Sequence, residues 1–303
     1  MKIVEIKNMD NEVYHNSDKY KQFWSSSNIK NYSKTPKEAY YQKFYTGNSQ
    51  SASMRDGTLI HDFLYSKHIN GDKFPYNLFM PPINERTGNY YGTSSDKYKT
   101  ALKHVLNPIT GKELKMVNDV WDMIKFSEYS LLFKDLLQNS IPECSFFVEL
   151  DSGLKYKYRP DILADNCIYD YKKIAKKDFN YVGMKRAIAN YGYDISASFY
   201  QKFEFLRTGT WKPFKIFWIT AEPAFDILLM DITSYGYELI NGTLRINPAA
   251  QMLENLLKQH ENCMSASNWP GMANRYENIE GYRTAIAEPS NYYNSDYEHF
   301  KID

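Results

Sequence analysis

Two aspartates and a lysine lie at a spacing that could form a metal-dependent hydrolytic centre. Asp161 is followed, after a short turn, by Asp170 and Lys172. Side chains alternate across a β-strand, so Asp170 and Lys172 share one face. If Asp165 and Asn166 form a two-residue hairpin turn, Asp161 lies directly opposite Asp170. Opposed residues have Cβ atoms roughly 4.5–5.5 Å apart, which is close enough to bind one cation.

A third acidic residue extends the row onto the preceding strand. With a three-residue loop at 151–153, Glu143 faces Asp161, although a β-bulge would shift this register by one residue. Neighbouring carboxylates repel each other unless a cation lies between them or one of them keeps its proton. Carboxylate and water oxygens suit Mg²⁺, which can lower the pKa of a bound water and shield charge on a phosphate.

Lys172 could then orient the nucleophile or meet negative charge that develops on phosphorus. The alternative interpretation is a solvated strand face that carries an ordinary Asp–Lys pair.

The composition is that of a globular protein and argues against several classes of protein and of metal site. The chain has 303 residues, of which 43% are hydrophobic and 24% charged, and its formal net charge is +1. Proteins that coat DNA carry a basic excess, so any DNA contact here must come from local clusters. The three cysteines form no Cys-x-x-Cys pair, which argues against a zinc ribbon, an iron–sulfur cluster or a disulfide framework. With no signal-peptide core and only short apolar runs, the protein is expected to be cytoplasmic.

Hydrophobic periodicity predicts helices and strands in an α/β arrangement. A helix is predicted to start near Ser25 and another at Thr35–Pro36. Residues 70–98 are predicted to be a long irregular loop, or an insertion that becomes ordered on binding. Further helices are predicted over residues 53–65, 113–138, 178–190, 194–207 and 248–264. Strands are predicted over residues 144–150, 154–163, 167–174, 214–220 and 224–231.

The pattern around the acidic residues resembles the PD-(D/E)XK nuclease motif, with an aspartate as the second acid. In order and spacing, four further features resemble the RecE-type exonucleases (exodeoxyribonuclease VIII), which are relatives of lambda exonuclease. These features are Ser26 to Lys30 with Pro36 to Tyr40, Gly57 to His61, Tyr191-Gly192-Tyr193 leading to Tyr200, and Cys263 followed by Trp269-Pro270-Gly271.

This resemblance implies a restriction-endonuclease-like core of the α/β (α+β) class, in which helices flank a central mixed β-sheet. It covers roughly residues 24–272, and we expect this range to be the exonuclease domain. Residues 1–23 would then be an N-terminal extension, and residues 273–303 a polar C-terminal tail.

The resemblance also implies roles for single residues. Lys172 would be the catalytic lysine. On the residues alone, an ordinary helix histidine facing the core or solvent is the favoured interpretation of His61, and Glu143 could equally be an exposed strand glutamate. The implied metal-site residues are His61, Glu143, Asp161, Asp170 and the backbone carbonyl of Tyr171. The expected DNA contacts are Ser27, Lys30, Arg55, Lys176, Tyr200 and Gln201, with ordinary helix surface as the alternative for the basic residues.

By the same resemblance, the expected reaction is hydrolysis of linear double-stranded DNA from its 5′ end, in phage-type homologous recombination. Mg²⁺ is the expected cofactor, and Mn²⁺ could substitute for it. The expected partners are duplex DNA, further copies of the chain in a ring trimer or tetramer, and a single-strand annealing protein. The expected compartment is the cytoplasm of a bacterial host or phage-infected cell.

Two positions depart from the family pattern. Ser196 stands at the position where the family usually has a glutamine, four residues before Tyr200, and Gln201 directly follows Tyr200. Lys173 stands at the position where the family usually has a threonine. A shorter side chain at 196 could weaken the positioning of the lysine or the nucleophile. Two alternatives therefore stay open: an endonuclease of the same superfamily, and a catalytically weakened or inactive DNA-binding ring scaffold.

Overall fold

Residues 1–46, 51–69, 74–271, 278–279 and 282–283 are described by a computed structural model. The strands are β1 (Lys2–Ile6), β2 (Asn77–Phe79), β3 (Pro108–Thr110), β4 (Ser140–Pro142), β5 (Ser145–Glu149), β6 (Lys155–Tyr158), β7 (Ile162–Ala164), β8 (Ile168–Lys173), β9 (Phe214–Ile219), β10 (Ile227–Asp231), β11 (Tyr237–Ile240), β12 (Thr243–Ile246), β13 (Asn278–Ile279) and β14 (Tyr282–Arg283). The helices are α1 (Asn11–Asn16), α2 (Asp18–Lys21), α3 (Ser26–Lys30), α4 (Pro36–Phe44), α5 (Ala52–His68), α6 (Asp96–Lys103), α7 (Gly111–Phe126), α8 (Ser130–Asn139), α9 (Tyr181–Tyr191), α10 (Tyr193–Thr208) and α11 (Pro248–Ala266).

The central sheet has five strands in the order β10-β9-β8-β7-β4. β8 and β9 are parallel, and the other pairs are antiparallel. A parallel pair needs a crossover connection, and α9 and α10 supply it between β8 and β9. The predicted mixed sheet flanked by helices is therefore confirmed.

The central sheet is buried on both faces, as the apolar run from Ile216 to Ile219 in β9 indicates. Ile216 and Trp218 join the larger hydrophobic cluster, together with residues of α3, α10 and α11. Phe217 and Ile219 point the opposite way and join a second cluster with residues of α5, α7 and α8. The two helical layers thus cover opposite faces of the central sheet, in which β8 carries Asp170 and Lys172.

A second sheet of three strands continues from the first, in the order β1-β5-β6. β4 and β5 belong to different sheets because the chain bends between them at Glu143, which has a φ of 48°. The partner segment bends at the same level, so the strand predicted over 154–163 is divided into β6 and β7. Pro160 lies in that bend and has no N–H group to donate to a strand ladder.

Two other predictions need correction, and one hairpin was missed. The helix predicted over 113–138 is two helices, α7 and α8, separated near Ser127, whose hydroxyl donates to the carbonyl of Ile124. The 70–98 region contains β2, which pairs in parallel with β3, and the start of α6; residues 70–73 lie outside the described part. The β11–β12 hairpin was not predicted.

The expected tail over 273–303 lies outside the described residues, apart from β13 and β14. Among the helices of the described segments, none is both long enough and apolar enough to cross a membrane.

Candidate active site

The β7–β8 hairpin brings Asp161 and Asp170 together. Ile162 pairs with Tyr169, Leu163 pairs with Ile168, and the turn closes with a 3.0 Å hydrogen bond from the Ala164 amide to the Cys167 carbonyl. This is the register predicted from the two-residue turn, and it makes Asp161 and Asp170 the next facing pair.

The two carboxyl groups are buried and close enough for each to shift the pKa of the other. Burial, together with the charge of Asp161, raises the pKa of Asp170 to about 7. Burial opposes ionisation of Asp161 as well, but the adjacent His61 cation outweighs it and holds the pKa of Asp161 below its usual value. The Tyr171 amide also donates to Oδ2 of Asp161 at 2.7 Å, which favours the charged carboxylate.

Lys172 lies beside Asp170 on the same strand face. Its ammonium contacts Oδ2 of Asp170, donates to the Tyr171 carbonyl at 3.2 Å and lies 5.2 Å from the centre of the Tyr193 ring. Burial opposes the positive charge of Lys172, but Asp170 and Asp161 outweigh it and raise the pKa of the ammonium. Lys172 is therefore a charged donor at neutral pH.

His61 closes the site from α5. Ser51 caps the N-terminus of this helix, and its hydroxyl accepts the Met54 amide. Nε2 of His61 is 2.9 Å from Oε1 of Glu143 and 2.9 Å from Oδ1 of Asp161. Burial would lower the pKa of this imidazole, but the two carboxylates raise it to about 10.

Glu143 reaches the site from the bend between β4 and β5. Its amide donates to the Asp161 carbonyl at 3.1 Å, as the predicted register requires. Burial raises the pKa of its carboxyl group. A positive φ at a residue other than glycine is uncommon, and such strained residues concentrate at functional sites.

Arg159 holds Glu143 from the side opposite His61. Its Nε is 3.0 Å from Oε2 of Glu143, its guanidinium lies 4.2 Å from the centre of the Tyr14 ring, and its NH2 group donates to Asn11. Sequence reasoning assigned Arg159 no role. The sequence feature that could have indicated a role is the position of Arg159, two residues before Asp161 and two residues after Lys157. Residues two apart in an extended segment lie on the same face.

A metal ion fits the group formed by His61, Glu143 and Asp161. One ligand atom from each of these residues lies within 4.8 Å of the other two. Oε1 of Glu143 is buried and accepts no hydrogen bond from any described residue. A single imidazole nitrogen carries at most one proton and cannot satisfy two carboxylates, whereas a divalent cation can bind all three groups. Asp170 lies next to this group because it faces Asp161 across the β7–β8 hairpin.

The expected DNA contacts fall into two sets. Ser27 and Lys176 are exposed, and Nζ of Lys176 donates to the Pro223 carbonyl at 3.0 Å. Lys30 lies near Lys172, and burial together with that second ammonium lowers the pKa of Lys30 to about 8. For these three residues, the contact with DNA stays a prediction.

The other set makes contacts within the protein. Arg55 binds Oε1 of Glu113 at 2.5 Å and the Pro108 carbonyl at 2.7 Å. Tyr200 is partly buried and hydrogen-bonded to Ser26.

Gln201 does not fit the expected DNA contact. Its side chain is fully buried; Nε2 donates to the carbonyls of Lys212 and Tyr237 at 3.0 and 2.9 Å, and Oε1 accepts the Tyr237 amide at 3.1 Å. These bonds fix the chain around β11 against α10. The expectation for Gln201 is therefore corrected to a structural role.

The site opens into a cleft of about 1250 Å³. His61, Arg159 and Lys172 line it, and so do residues 8–12 and the first turns of α5. The N-terminal segment thus forms one wall of the cleft.

Comparison with known proteins gave a matching family model and a similar solved structure. Residues 25–282 match a family model described as a PDDEXK-like domain of unknown function (DUF3799). The fold is similar to a crystal structure from Eubacterium rectale described as a "Putative exonuclease", with a TM-score of 0.53 and 15% identity over 94% of this chain and 96% of that one. At this identity the likeness concerns the fold alone. A comparison with curated proteins found no match.

Proposed function

Because the chain belongs to the PDDEXK-like domain family over residues 25–282, we propose that it is a metal-dependent deoxyribonuclease. The observation that carries this proposal is the convergence of His61, Glu143 and Asp161 beside the Asp170–Lys172 pair. His61, Glu143 and Lys172 of this group line one cleft. This arrangement combines a set of ligands for a divalent cation with a charged donor next to it.

The groups that would hold the ion are His61, Glu143 and Asp161, with Asp170 adjacent. Mg²⁺ is the proposed ion because most of these donors are carboxylate oxygens, and Mn²⁺ is the proposed substitute because it also accepts an imidazole. Such an ion, when bound, lowers the pKa of a water ligand and offsets charge on a phosphate.

Two residues of the chain, Lys172 and Tyr171, prepare the site for a phosphodiester. Lys172 keeps its proton and can donate to a phosphate oxygen on which negative charge develops. The Tyr171 amide fixes the orientation of Asp161. Because Lys172 also bonds the Tyr171 carbonyl, its ammonium is held at the edge of the ion-binding group.

The finer assignment is a 5′-to-3′ exonuclease on linear duplex DNA, in phage-type recombination. The RecE-type motifs support it, and so does a structural neighbour that is itself described as an exonuclease. A ring of subunits and a single-strand annealing partner are proposed on the same motifs.

The test compares linear and circular duplex DNA, each with Mg²⁺ and with a chelator. Loss of only the linear form, and only with Mg²⁺, is the expected result. End-labelled strands report the direction of digestion. Asp170→Asn and Lys172→Ala should reduce the rate at least a hundredfold, whereas Asp165→Asn, the same change at the exposed turn of that hairpin, should not.

Other outcomes separate the alternatives. Cutting of circles would indicate an endonuclease. Binding without loss of either form would favour the inactive scaffold, which Ser196 at the usual glutamine position suggests. Full activity in the Lys172→Ala variant would refute the assignment of the site.

A further inference from the structure

A tight junction between α9 and α10 holds two tyrosines at the cleft. Gly192 separates Tyr191 from Tyr193 and has a φ of 59°, a left-handed conformation that favours glycine. A Cβ atom at this position would lie 2.9 Å from Cδ of Lys30. Nζ of Lys30 also donates to the Tyr191 carbonyl at 2.9 Å. The junction is thus fixed from two sides.

The inner tyrosine is anchored beside the catalytic lysine. The ring of Tyr193 is 5.9 Å from that of Trp218 in the core, and its centre is 5.2 Å from Nζ of Lys172. The outer ring, Tyr191, is 5.5 Å from Tyr193 at an interplanar angle of 32°. The pair therefore extends from the core, past Lys172, to the surface.

The outer tyrosine has an open face. Tyr191 is 64% exposed, and both tyrosines line the same cleft as His61 and Lys172. An aromatic ring with an open face in a polar cleft offers a stacking surface for a nucleobase, and such stacking tolerates any base.

Another tyrosine on the same helix shows what an ordinary exposed ring looks like here. Tyr181 is 67% exposed, but the ammonium of Lys185 lies over its ring, 5.3 Å from the ring centre. Tyr181 also lies outside the described lining of the cleft. Equal exposure with different surroundings makes it a matched control for Tyr191.

We propose that Tyr191, supported by Tyr193, stacks on the nucleobase adjacent to the phosphodiester that faces Lys172. The ligand is an unpaired segment of DNA of any sequence, because a base within an intact duplex already stacks between its neighbours. The strand must therefore be single where it passes Tyr191. This inference rests on the proposed function and specifies the form of DNA that the cleft accepts.

The test measures binding of a fluorescent, 5′-phosphorylated oligothymidylate to the full chain in chelator, so that no cleavage occurs. Tyr191→Ala should raise the Kd roughly 5- to 150-fold, the range for loss of one stacked base. Tyr191→Trp should bind at least as tightly as the wild type, and Tyr181→Ala should leave the Kd unchanged. Circular dichroism verifies that each variant is folded.

A second series replaces one nucleotide at a time with an abasic residue. In the wild type, the abasic residue at the stacking position should weaken binding, and in Tyr191→Ala the same replacement should have no further effect. The proposed stacking is wrong if Tyr191→Ala leaves the Kd unchanged. It is also wrong if the abasic replacement raises the Kd equally in the wild type and in Tyr191→Ala. A wild type that binds no DNA at all overturns the proposed function together with it.

Discussion

Arg159 pairs with Glu143 at 3.0 Å while its guanidinium lies over the ring of Tyr14. Tyr14 is buried in α1, and its carbonyl accepts a hydrogen bond from Lys157. The N-terminal helix therefore holds the arginine that orients a candidate metal ligand. Groups that orient metal ligands in this way contribute strongly to metal affinity.

The first prediction concerns this pair. Arg159→Met should lower the affinity for Mn²⁺ roughly 10- to 100-fold, because Glu143 loses the partner that orients it. The affinity is measured by titration calorimetry without DNA. Arg159→Lys, which keeps the charge, should be intermediate, and Arg186→Met on the exposed surface of α9 should have no effect. Unchanged Mn²⁺ affinity in folded Arg159→Met would show that Glu143 is oriented without Arg159.

The second prediction concerns metal removal. Mg²⁺ or Mn²⁺ should raise the melting temperature of the wild type, because an ion that binds only the folded state stabilises it by about 2.7 kcal/mol at a hundred times its Kd. Asp161→Asn should abolish this rise, since Asp161 is central to the ligand group. Asp165→Asn should keep it. A rise that persists in Asp161→Asn would place the ion elsewhere.

The third prediction concerns Gln201. Gln201→Leu should lower the free energy of unfolding by about 3 kcal/mol, because it leaves buried backbone groups of Lys212 and Tyr237 without their partner. Urea unfolding measures the change. Gln251→Leu on the exposed face of α11 should shift it by less than about 0.5 kcal/mol. Wild-type stability in Gln201→Leu, with DNA binding lost, would restore the role first expected from the sequence.

The facing of Asp161 and Asp170 could be predicted because a two-residue turn fixes the register locally. Hairpin chemistry could also have predicted β11 and β12, since Asn241 and Gly242 form a turn with φ values of 50° and 78° between two apolar segments. The contact of Arg159 with Asn11 could not be predicted. It joins residues 148 positions apart and depends on how the N-terminal segment packs.

The place of Glu143 opposite Asp161 followed from the predicted strand register, whereas the place of His61 in the site came from family resemblance rather than from pattern. The helical period of α5 does not distinguish a histidine that faces a carboxylate from one that faces solvent. The bend at Glu143 depends on two strands entering different sheets, which no local signal encodes. The contacts of buried polar groups are the hardest to predict from local sequence pattern, because their partners come from distant segments.

The last prediction concerns His260, a buried histidine outside the candidate active site. The indole of Trp269 donates to the Tyr32 hydroxyl at 3.3 Å, and Nδ1 of His260 lies 2.9 Å from that hydroxyl. With Tyr32 as the donor to Nδ1, the imidazole is neutral and its proton is on Nε2, which has no hydrogen-bond partner among the described residues. Burial, and then the charge of Lys43, lower the pKa of His260 to about 4.

Because the folded-state pKa of His260 lies below the unfolded value of about 6.5, the unfolded chain binds more protons as the pH falls. The stability associated with neutral His260 is fully present above pH 6.5 and is lost progressively towards pH 4. Between pH 8 and pH 5 this loss should amount to about 2 kcal/mol. His260→Gln keeps an acceptor for Tyr32 but does not titrate. Between pH 8 and pH 5, the free energy of unfolding of this variant should therefore fall by about 2 kcal/mol less than that of the wild type. Urea unfolding at both pH values measures the difference, and equal losses in the two proteins would mean that His260 does not stay neutral in the fold.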